Sequence, residues 1–188
     1  MLEILQHLDE TLFRFINQTL AASWLDAVMI ALSNRWLMVP FYILLVWSAW
    51  KKFGKNFWLP ILLFISAFGA ADSVSSRIFK PTFKRVRPCN VASLTPRIPD
   101  QKSVSFGFVS SHAANMFAIA TIFMLVYKPR KNQIAFAYLI AGLVAYSRVY
   151  LGVHYPFDVI CGGLLGMTLS YLIYIGMMQI AFLKKRLK

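Results

Sequence analysis

The chain has 188 residues, a length that suits one compact domain rather than two. Hydrophobic residues make up 59% of it and charged residues only 14%, whereas a soluble domain usually carries about a quarter charged residues. This composition argues against a soluble protein and indicates a membrane protein. The net charge is +13. Because the apolar runs argue against a nucleic-acid-binding module, we interpret this charge as membrane topology together with an anion-binding site.

The N-terminal part of the chain predicts two short helices and then two longer apolar ones. An amphipathic helix from about Leu2 to Leu20 would lie at the membrane interface or only partly within it. A short helix near Trp24 to Ser33 follows, with Ser23 as its expected N-cap. The first clear span runs from Trp36 to Trp50, and a longer one runs from Phe57 to about Phe79.

The remaining elements are one polar loop and three apolar spans. The stretch Asp72–Arg77 is too polar for lipid contact, so it is expected to face the interior of the bundle. Residues Lys80 to Gly107 predict a polar loop that is rich in proline and basic residues. Further spans are predicted from about Phe108 to Tyr127, Gln133 to Leu151 and Pro156 to Leu183.

Together these elements predict an all-α integral-membrane bundle of about six helices with an amphipathic N-terminal helix, in a single domain covering residues 1–188. By the positive-inside rule, the side that carries the basic clusters faces the cytoplasm. The polar loop and the segment near His154 then lie on the opposite side. We therefore expect a multi-pass protein of the bacterial inner membrane with its site facing the periplasm. The basic clusters are Lys51, Lys52 and Lys55; Lys128, Arg130 and Lys131; and residues 184–188.

Three segments carry ionisable side chains where such groups are costly unless they have a function. The first is Lys80–Pro88, the second is Val109–His112 at the mouth of a span, and the third is Ser147–Asp158. Taken singly, each segment has an ordinary structural explanation: juxtamembrane basic residues, a helix N-cap or an interfacial histidine. Taken together, they place two of the three histidines at span ends on one membrane face, whereas His7 has no such neighbours.

The residue types in these segments suit phosphoryl transfer. Asp158 lies four residues after His154, so its carboxylate can accept a hydrogen bond from one imidazole nitrogen and leave the other as a nucleophile. His112 can act as the general acid for the leaving oxygen. No carboxylate cluster is present to hold Mg²⁺ or Zn²⁺, so we expect a metal-free reaction without a cofactor. Phosphoryl oxygens would be bound by Lys80, Arg87 and Arg148, and by Ser110 with the first N–H groups of the helix that follows it.

The pattern K-x6-R-P, then S-x-H, then S-R-x5-H-x3-D resembles the signature of the type 2 phosphatidic acid phosphatase superfamily, also called lipid phosphate phosphatases. The resemblance implies a phosphohistidine on His154, assisted by Asp158, with His112 as the acid, and it implies inhibition by vanadate. Where the family usually reads P-S-G-H, this chain reads V-S-S-H, and a serine at that glycine position makes a positive φ costly. The phosphate-binding residues that the resemblance implies are Lys80, Arg87, Ser110, Ser111 and Arg148.

The expected partner is the membrane, and the expected substrate is an anionic phospholipid, isoprenoid or lipid A. Undecaprenyl diphosphate and lipid A 1-phosphate are favoured, with phosphatidylglycerol phosphate and phosphatidic acid as alternatives. A lipid or ion transporter is the alternative of a different class, but it would spread its ionisable residues through the bilayer depth.

Cys89 and Cys161 are expected to be unpaired thiols. Further basic residues that suit a diphosphate headgroup, or merely contact anionic lipids, are Lys84, Arg85, Arg97 and Lys102.

Overall fold

A computed structural model describes residues 2–98 and 104–180 of the chain. Within those ranges the chain forms helices joined by turns and loops, without a strand, which confirms the all-α prediction. The predicted end of the last span at Leu183, the basic residues 184–188 and Lys102 lie outside the described residues. The helices are α1 (Leu2–Arg14), α2 (Ser23–Ser33), α3 (Val39–Phe53), α4 (Trp58–Ser73), α5 (Lys80–Phe83), α6 (Ser111–Tyr127), α7 (Lys131–Tyr150) and α8 (Pro156–Met178).

Several of these helices have the length and composition of membrane spans. Among the described residues, three helical runs are long and apolar enough to cross a bilayer: Trp58–Phe83, Lys131–Tyr150 and Pro156–Met178. The helices Glu3–Thr19 and Ser23–Ser33 pass the same test as a pair, although they are bent by 118° relative to each other. α6 is a shorter apolar helix. The protein is therefore a helical membrane protein.

The second long helix extends further than the sequence predicted. α4 continues through a π-helical turn, Val74–Phe79, directly into α5. Lys80 therefore lies on a helix and not in the polar loop, and the predicted loop boundary was wrong. Pro81 is the second residue of α5 and directly follows the π-helical turn. The helix ends at Lys84, which adopts the left-handed conformation.

Glycine residues bring α6 and α8 together at the centre of the bundle. A methyl group added to Gly166 would lie 2.0 Å from the Ala114 carbonyl oxygen, and one added to Gly162 would lie 2.5 Å from that of Ser110. Such contacts require small residues, which let two backbones approach closely. The Ser110 N–H also donates to the Asp158 carbonyl oxygen at 3.0 Å. The first turns of the two helices are thus held directly against each other.

Two of the basic clusters lie at one end of the bundle. The Lys52 ammonium donates a hydrogen bond to the carbonyl oxygen of Tyr127, the last residue of α6. The Phe53 ring packs edge-on against the Tyr127 ring, with 5.4 Å between the ring centroids. The turn after α3 and the turn after α6 are therefore neighbours. The first turn of α6, which carries His112, lies at the other end of that helix.

The N-terminal helices contact the bundle more extensively than an interfacial helix would. Asp9, Phe13 and Asn17 recur every four residues on one face of α1 and its π-helical continuation, and all three are fully buried. Ser23 is the first residue of α2 and not its N-cap, because Ala22 occupies the cap position. The Ser23 hydroxyl instead accepts a hydrogen bond from Arg97 at 3.1 Å.

Candidate active site

Most of the residues predicted from the three motifs surround one cavity of about 640 Å³. They come from the α4–α5 run, the loop before α6, the first turn of α6, α7 and the turn before α8. Apolar side chains such as Met38, Phe68 and Val144 complete the wall. The cavity thus combines a cationic region with an apolar region. The motif residues that line it are Lys80, Arg87, Ser111, His112, Arg148 and His154.

His154 lies in the turn between α7 and α8, with only 2% of its surface exposed. Its Nδ1 is 3.5 Å from Asp158 Oδ2 and makes no closer hydrogen bond among the described residues. Its Nε2 lies 3.2 Å from Arg87 Nη1. Because a guanidinium can only donate, Nε2 accepts and the ring proton belongs on Nδ1, facing the carboxylate. Burial lowers the pKa of His154 to about 4, although Asp158 raises it, so the ring is neutral at neutral pH.

The backbone explains how His154 reaches the cavity. The N–H groups of Val153 and His154 both donate to the Arg148 carbonyl oxygen, at 3.1 and 3.3 Å. Gly152 has a φ of +76°, a conformation that favours glycine, and a Cβ there would lie 2.5 Å from Pro96. The chain therefore reverses tightly after α7. This reversal brings Arg148 and His154 to the same cavity.

Arg87 is held in a fixed position beside this histidine. Its Nε and Nη2 donate to the backbone oxygen and the hydroxyl of Ser105, both at 2.8 Å. Its Nη1 donates to the Val153 carbonyl oxygen at 3.2 Å. Burial lowers the pKa of Arg87, but a guanidinium stays charged in proteins. A rigid positive charge thus lies next to His154 Nε2.

Ser111 lines the cavity together with His112 of the same motif. Its hydroxyl oxygen lies 2.8 Å from Lys80 Nζ and 2.8 Å from the hydroxyl of the buried Ser75, which both donate to it. Ser111 is the first residue of α6 and is not among the described residues with a positive φ. Serine at this position therefore fits the backbone without a positive φ, in agreement with the cost of that conformation for serine.

Ser110 has a different environment from Ser111. It is fully buried, and its hydroxyl accepts a hydrogen bond from the Ala113 N–H at 3.5 Å as the N-cap of α6. It is not among the residues that line the cavity. Its predicted contact with phosphate stays a prediction, while its role as the cap that begins the helix is visible in the structure.

Arg148 extends from the last turn of α7 toward α2. Its Nη1 donates to the hydroxyl of Ser33, the last residue of α2. Its Nε is buried and has no hydrogen-bond partner among the described residues. A buried N–H without a partner is costly unless a ligand satisfies it. No motif indicated that Ser33 belongs to this region, because an isolated serine at a helix end is common.

The additional basic residues do not all face the cavity. Arg85 Nη1 lies 2.7 Å from Asp158 Oδ1, and its Nη2 lies 2.6 Å from Asp9 Oδ2. Arg97 pairs with Asp26 at 2.8 Å. Carboxylates within the molecule therefore already bind both guanidinium groups, and the contact of Arg85 and Arg97 with a headgroup or with anionic lipids stays a prediction.

The deeper part of the cavity is polar but not cationic. Asn115 Nδ2 donates to Asp72 Oδ1 at 3.2 Å, while Asn115 Oδ1 is buried without a partner among the described residues. Ser76 lines the same region. Arg77 is exposed, which contradicts the prediction that the whole Asp72–Arg77 stretch faces inward. The ionisable groups of this stretch therefore do not form a charged path across the bundle.

Two other predictions concern metals and thiols. Within residues 2–98 and 104–180, no group of three or more His, Cys, Asp or Glu side chains could hold a metal ion. Cys89 and Cys161 are both free, as predicted. His7 is exposed on α1, away from the cavity.

Comparison with known proteins identifies the family. The model of the PAP2 superfamily matches residues 57–181, which contain all three motifs and most of the chain. The chain belongs to the PAP2 superfamily. This PAP2 chain is 31% identical over 182 residues to a lipid A 4'-phosphatase of Bacteroides thetaiotaomicron, covering 93% of this chain and 79% of the relative. It is 30% identical over 165 residues to an undecaprenyl-diphosphatase of Sulfolobus acidocaldarius, covering 86% and 74% respectively.

The fold is also similar to a solved PAP2 structure. The crystal structure of LpxE from Aquifex aeolicus superposes with a TM-score of 0.71 at 25% identity, covering 89% of this chain and 94% of that one. The family, its phosphatase relatives and the membrane-spanning helices together make this protein a PAP2 lipid phosphatase. The matched family region begins at residue 57, so α1, α2 and α3 lie outside it.

Proposed function

We propose that this PAP2 protein hydrolyses the phosphate monoester of a glycolipid such as lipid A through a phosphohistidine on His154. The observation that carries the proposal is the neutral, buried imidazole of His154 in a cavity that three cationic side chains also line. Positioning and charge neutralisation are most of what phosphoryl transfer requires of a protein. The three cations are Lys80, Arg87 and Arg148.

In the first step, His154 Nε2 attacks phosphorus, a P–N bond forms and the P–O bond to the lipid breaks. The phosphoryl oxygens displace Arg87 from Nε2 and bind its guanidinium, since a charge-assisted bond to an oxyanion is stronger than one to a neutral ring. His112, as the imidazolium form in the complex with the anionic substrate, gives a proton to the leaving oxygen and becomes neutral. Asp158 stabilises the Nδ1–H of the ring as it becomes positively charged.

In the second step, water attacks the phosphorus of the phosphohistidine. Its proton passes to His112, the P–N bond breaks and inorganic phosphate leaves. The two steps restore both histidines to their starting protonation states. Ser111 and the free Arg148 Nε–H supply further donors to the phosphoryl oxygens.

We propose that the reaction needs no metal ion. In this mechanism Lys80, Arg87 and Arg148 neutralise the negative charge that a divalent cation would otherwise neutralise. Activity that survives a molar excess of EDTA would agree with this assignment. Activity that is lost with EDTA and recovered with Mg²⁺ would contradict it.

The choice of a monoester over a diphosphate follows from the distribution of charge. Arg85 and Arg97 are paired with carboxylates, so they are not available for a second phosphate. The polar groups beyond the cationic region are Asp72, Ser76 and Asn115, which suit the hydroxyl groups of a sugar and repel a further anion. The relative named lipid A 4'-phosphatase supports the same choice.

Undecaprenyl diphosphate is the second candidate substrate. The 30% identity to an undecaprenyl-diphosphatase favours it. Its apolar chain would also suit the apolar wall of the cavity. The two candidates differ in one respect that can be measured, because a diphosphate places a second anion beside Asp72 whereas a glycolipid monoester places hydroxyl groups there.

We also propose that the cavity opens to the periplasmic side of the inner membrane. The basic turns after α3 and α6 lie at the far end of the bundle from the first turn of α6. The positive-inside rule assigns that far end to the cytoplasm. Labelling of a single cysteine at Ser105 by a membrane-impermeant reagent in intact cells tests this assignment, and labelling only after lysis would contradict it.

The decisive experiment measures phosphate release from lipid A and from undecaprenyl diphosphate in detergent micelles. The wild type is compared with His154→Ala and Asp72→Ala. We expect His154→Ala to lose activity on both lipids and Asp72→Ala to raise KM for lipid A alone. Equal release by the wild type and His154→Ala would contradict the mechanism, and faster turnover of undecaprenyl diphosphate by the wild type would contradict the substrate assignment.

A further inference from the structure

Helix α1 and its π-helical continuation carry a stripe of buried residues that belong to none of the three motifs. Asp9, Phe13 and Asn17 follow each other at intervals of four residues and are all fully buried. Phe13 packs edge-on against Tyr155, with 5.6 Å between the ring centroids, and Asn17 Nδ2 donates to the Tyr150 carbonyl oxygen at 2.6 Å. The whole stripe therefore contacts the segment that carries His154.

Asp9 contributes the charged contact of this stripe. Its Oδ2 lies 2.6 Å from Arg85 Nη2, and its Oδ1 accepts a hydrogen bond from the Phe157 N–H at 2.9 Å. Phe157 lies in the first turn of α8, where N–H groups lack partners within the helix. Asp9 is thus both a counterion of Arg85 and a cap for α8.

Arg85 connects this carboxylate to the one beside the nucleophile. Its two terminal nitrogens reach separate acids, Asp9 on one side and Asp158 Oδ1 at 2.7 Å on the other. The guanidinium also lies over the Tyr155 ring, 4.1 Å from the centroid. The planar guanidinium directs its two terminal nitrogens to the two carboxylates in a fixed geometry, whereas the three donors of an ammonium group rotate about one nitrogen.

The bridge determines which oxygen of Asp158 faces the histidine. Oδ1 is bound by Arg85, while Oδ2 accepts from the Tyr155 N–H at 2.9 Å and lies 3.5 Å from His154 Nδ1. Because both oxygens are engaged, the carboxylate cannot rotate freely. Its second oxygen therefore stays directed at the imidazole.

We propose that Asp9, acting through Arg85, is a positioning residue for the Asp158–His154 pair, which makes the amphipathic N-terminal helix part of the active site. The proposal rests on the proposed role of His154 as the nucleophile. The chain of contacts is His154, Asp158, Arg85 and Asp9, and its last member belongs to a helix outside the matched family region.

The matched control is a similar ion pair that lacks the connection to Asp158. Asp26 of α2 binds Arg97 at 2.8 Å and accepts a hydrogen bond from the Tyr150 hydroxyl at 2.5 Å. This pair also joins an N-terminal helix to the rest of the bundle. Its loss should weaken that attachment without changing the orientation of the nucleophile.

The experiment compares Asp9→Asn with Asp26→Asn, using lipid A in detergent micelles above its KM and correcting for folded protein by size exclusion. Asparagine keeps the shape of Asp9 and can still accept from Phe157, but it loses the charge that holds Arg85. We expect Asp9→Asn to lower kcat about tenfold with KM changed less than twofold, since coupled neighbours interact by amounts of this order. Asp26→Asn should lower the melting temperature and leave kcat unchanged.

A second variant tests the route through Arg85. Arg85→Lys keeps a positive charge between the two buried carboxylates, so the protein should fold, but it removes the fork. We expect the double variant Asp9→Asn/Arg85→Lys to be no slower than Arg85→Lys alone, because asparagine keeps the contact with the Phe157 N–H and the charge of Asp9 acts on Asp158 through Arg85.

Three results would overturn the proposal: an unchanged kcat in Asp9→Asn, an equal loss of kcat in Asp9→Asn and Asp26→Asn, or multiplicative losses in the double variant. If Asp9→Asn does not fold, a kcat for Arg85→Lys equal to that of the wild type overturns it as well. Full activity of His154→Ala is a separate outcome. It would reject the proposed nucleophile, whatever the result for Asp9.

Discussion

The cationic cavity and the pair of N-terminal helices meet at the same segment of chain but contribute to it differently. The cavity brings Lys80, Arg148 and His154 to one empty space, where each can contact a substrate. Helix α1 and its π-helical continuation instead contact the outside of that segment through Asp9 and Asn17, which are fully buried. The comparison teaches that reacting groups and the groups that hold them in place can come from separate parts of the chain.

The largest expected effect is confined to the cavity. His154→Ala should lower phosphate release by about four orders of magnitude or more, as the loss of a nucleophile does in other covalent enzymes. His7→Ala, on the exposed face of α1, should leave the rate unchanged. Phosphate release from a lipid substrate in detergent measures both variants. A comparable loss in His7→Ala would erase the distinction between the two regions.

A pair of arginine variants compares the regions directly. Arg148→Lys should lower kcat/KM about a hundredfold, because lysine cannot reproduce the planar donors that stabilise a phosphoryl group. Arg97→Lys, at the contact between α2 and the loop, should lower the melting temperature slightly and leave kcat/KM unchanged. Steady-state kinetics and thermal unfolding on the same preparations measure both effects. Equal losses of kcat/KM would show that the two arginines are not functionally distinct.

The buried histidine also predicts how stability depends on pH. The pKa of His154 is about 4 in the folded protein against 6.5 for the free side chain, so the unfolded state binds the proton first as the pH falls. The contribution of His154 to the free energy of unfolding should therefore be fully present above about pH 6.5. It should decrease by about 2 kcal/mol as the pH falls to 5. Thermal unfolding in detergent measures this decrease. The free energy of unfolding of His154→Gln should decrease less over the same pH range. An identical dependence on pH in the two proteins would contradict the assignment of this decrease to His154.

The smallest effect belongs to the N-terminal helices alone. Asn17→Ala removes a fully buried side chain that donates to the Tyr150 carbonyl oxygen and accepts from the Arg97 N–H at 3.0 Å. We expect it to lower stability by about 1 kcal/mol, since buried backbone groups lose their partners. Gln18→Ala, at an exposed neighbour, is the control. A large change in kcat for folded Asn17→Ala would show that this contact also positions the reacting groups.

Most of the cavity could be predicted because its residues have few alternative explanations. A lysine, two arginines and two histidines next to apolar spans are costly unless they bind something. Their spacing matched a known signature, and the structure brings Lys80, His112 and His154 to one cavity. The prediction for Ser110 is less direct, because its buried hydroxyl caps α6.

The supporting residues had no comparable signal. Asp9 is one of several acids on an amphipathic helix, and Arg85 is one of several cations in a basic stretch, so their pairing is invisible in the chain order. A weak sign existed in the spacing of Asp9, Phe13 and Asn17, which places two polar residues and one aromatic residue on a single helix face. That pattern indicates a buried face but does not identify its partner.

The sequence by itself determined the membrane class, the helical architecture and most of the charged residues that line the cavity. Apolar length, charge clusters and motif spacing are local properties, which depend on residues close together in the chain. Only the tertiary structure decided that α5 extends the second long helix to Lys80 and that Arg85 binds two acids instead of substrate. It also decided that α1 contacts the segment that carries His154. These features depend on which helices pack together, and packing joins residues as far apart as Asp9 and Asp158.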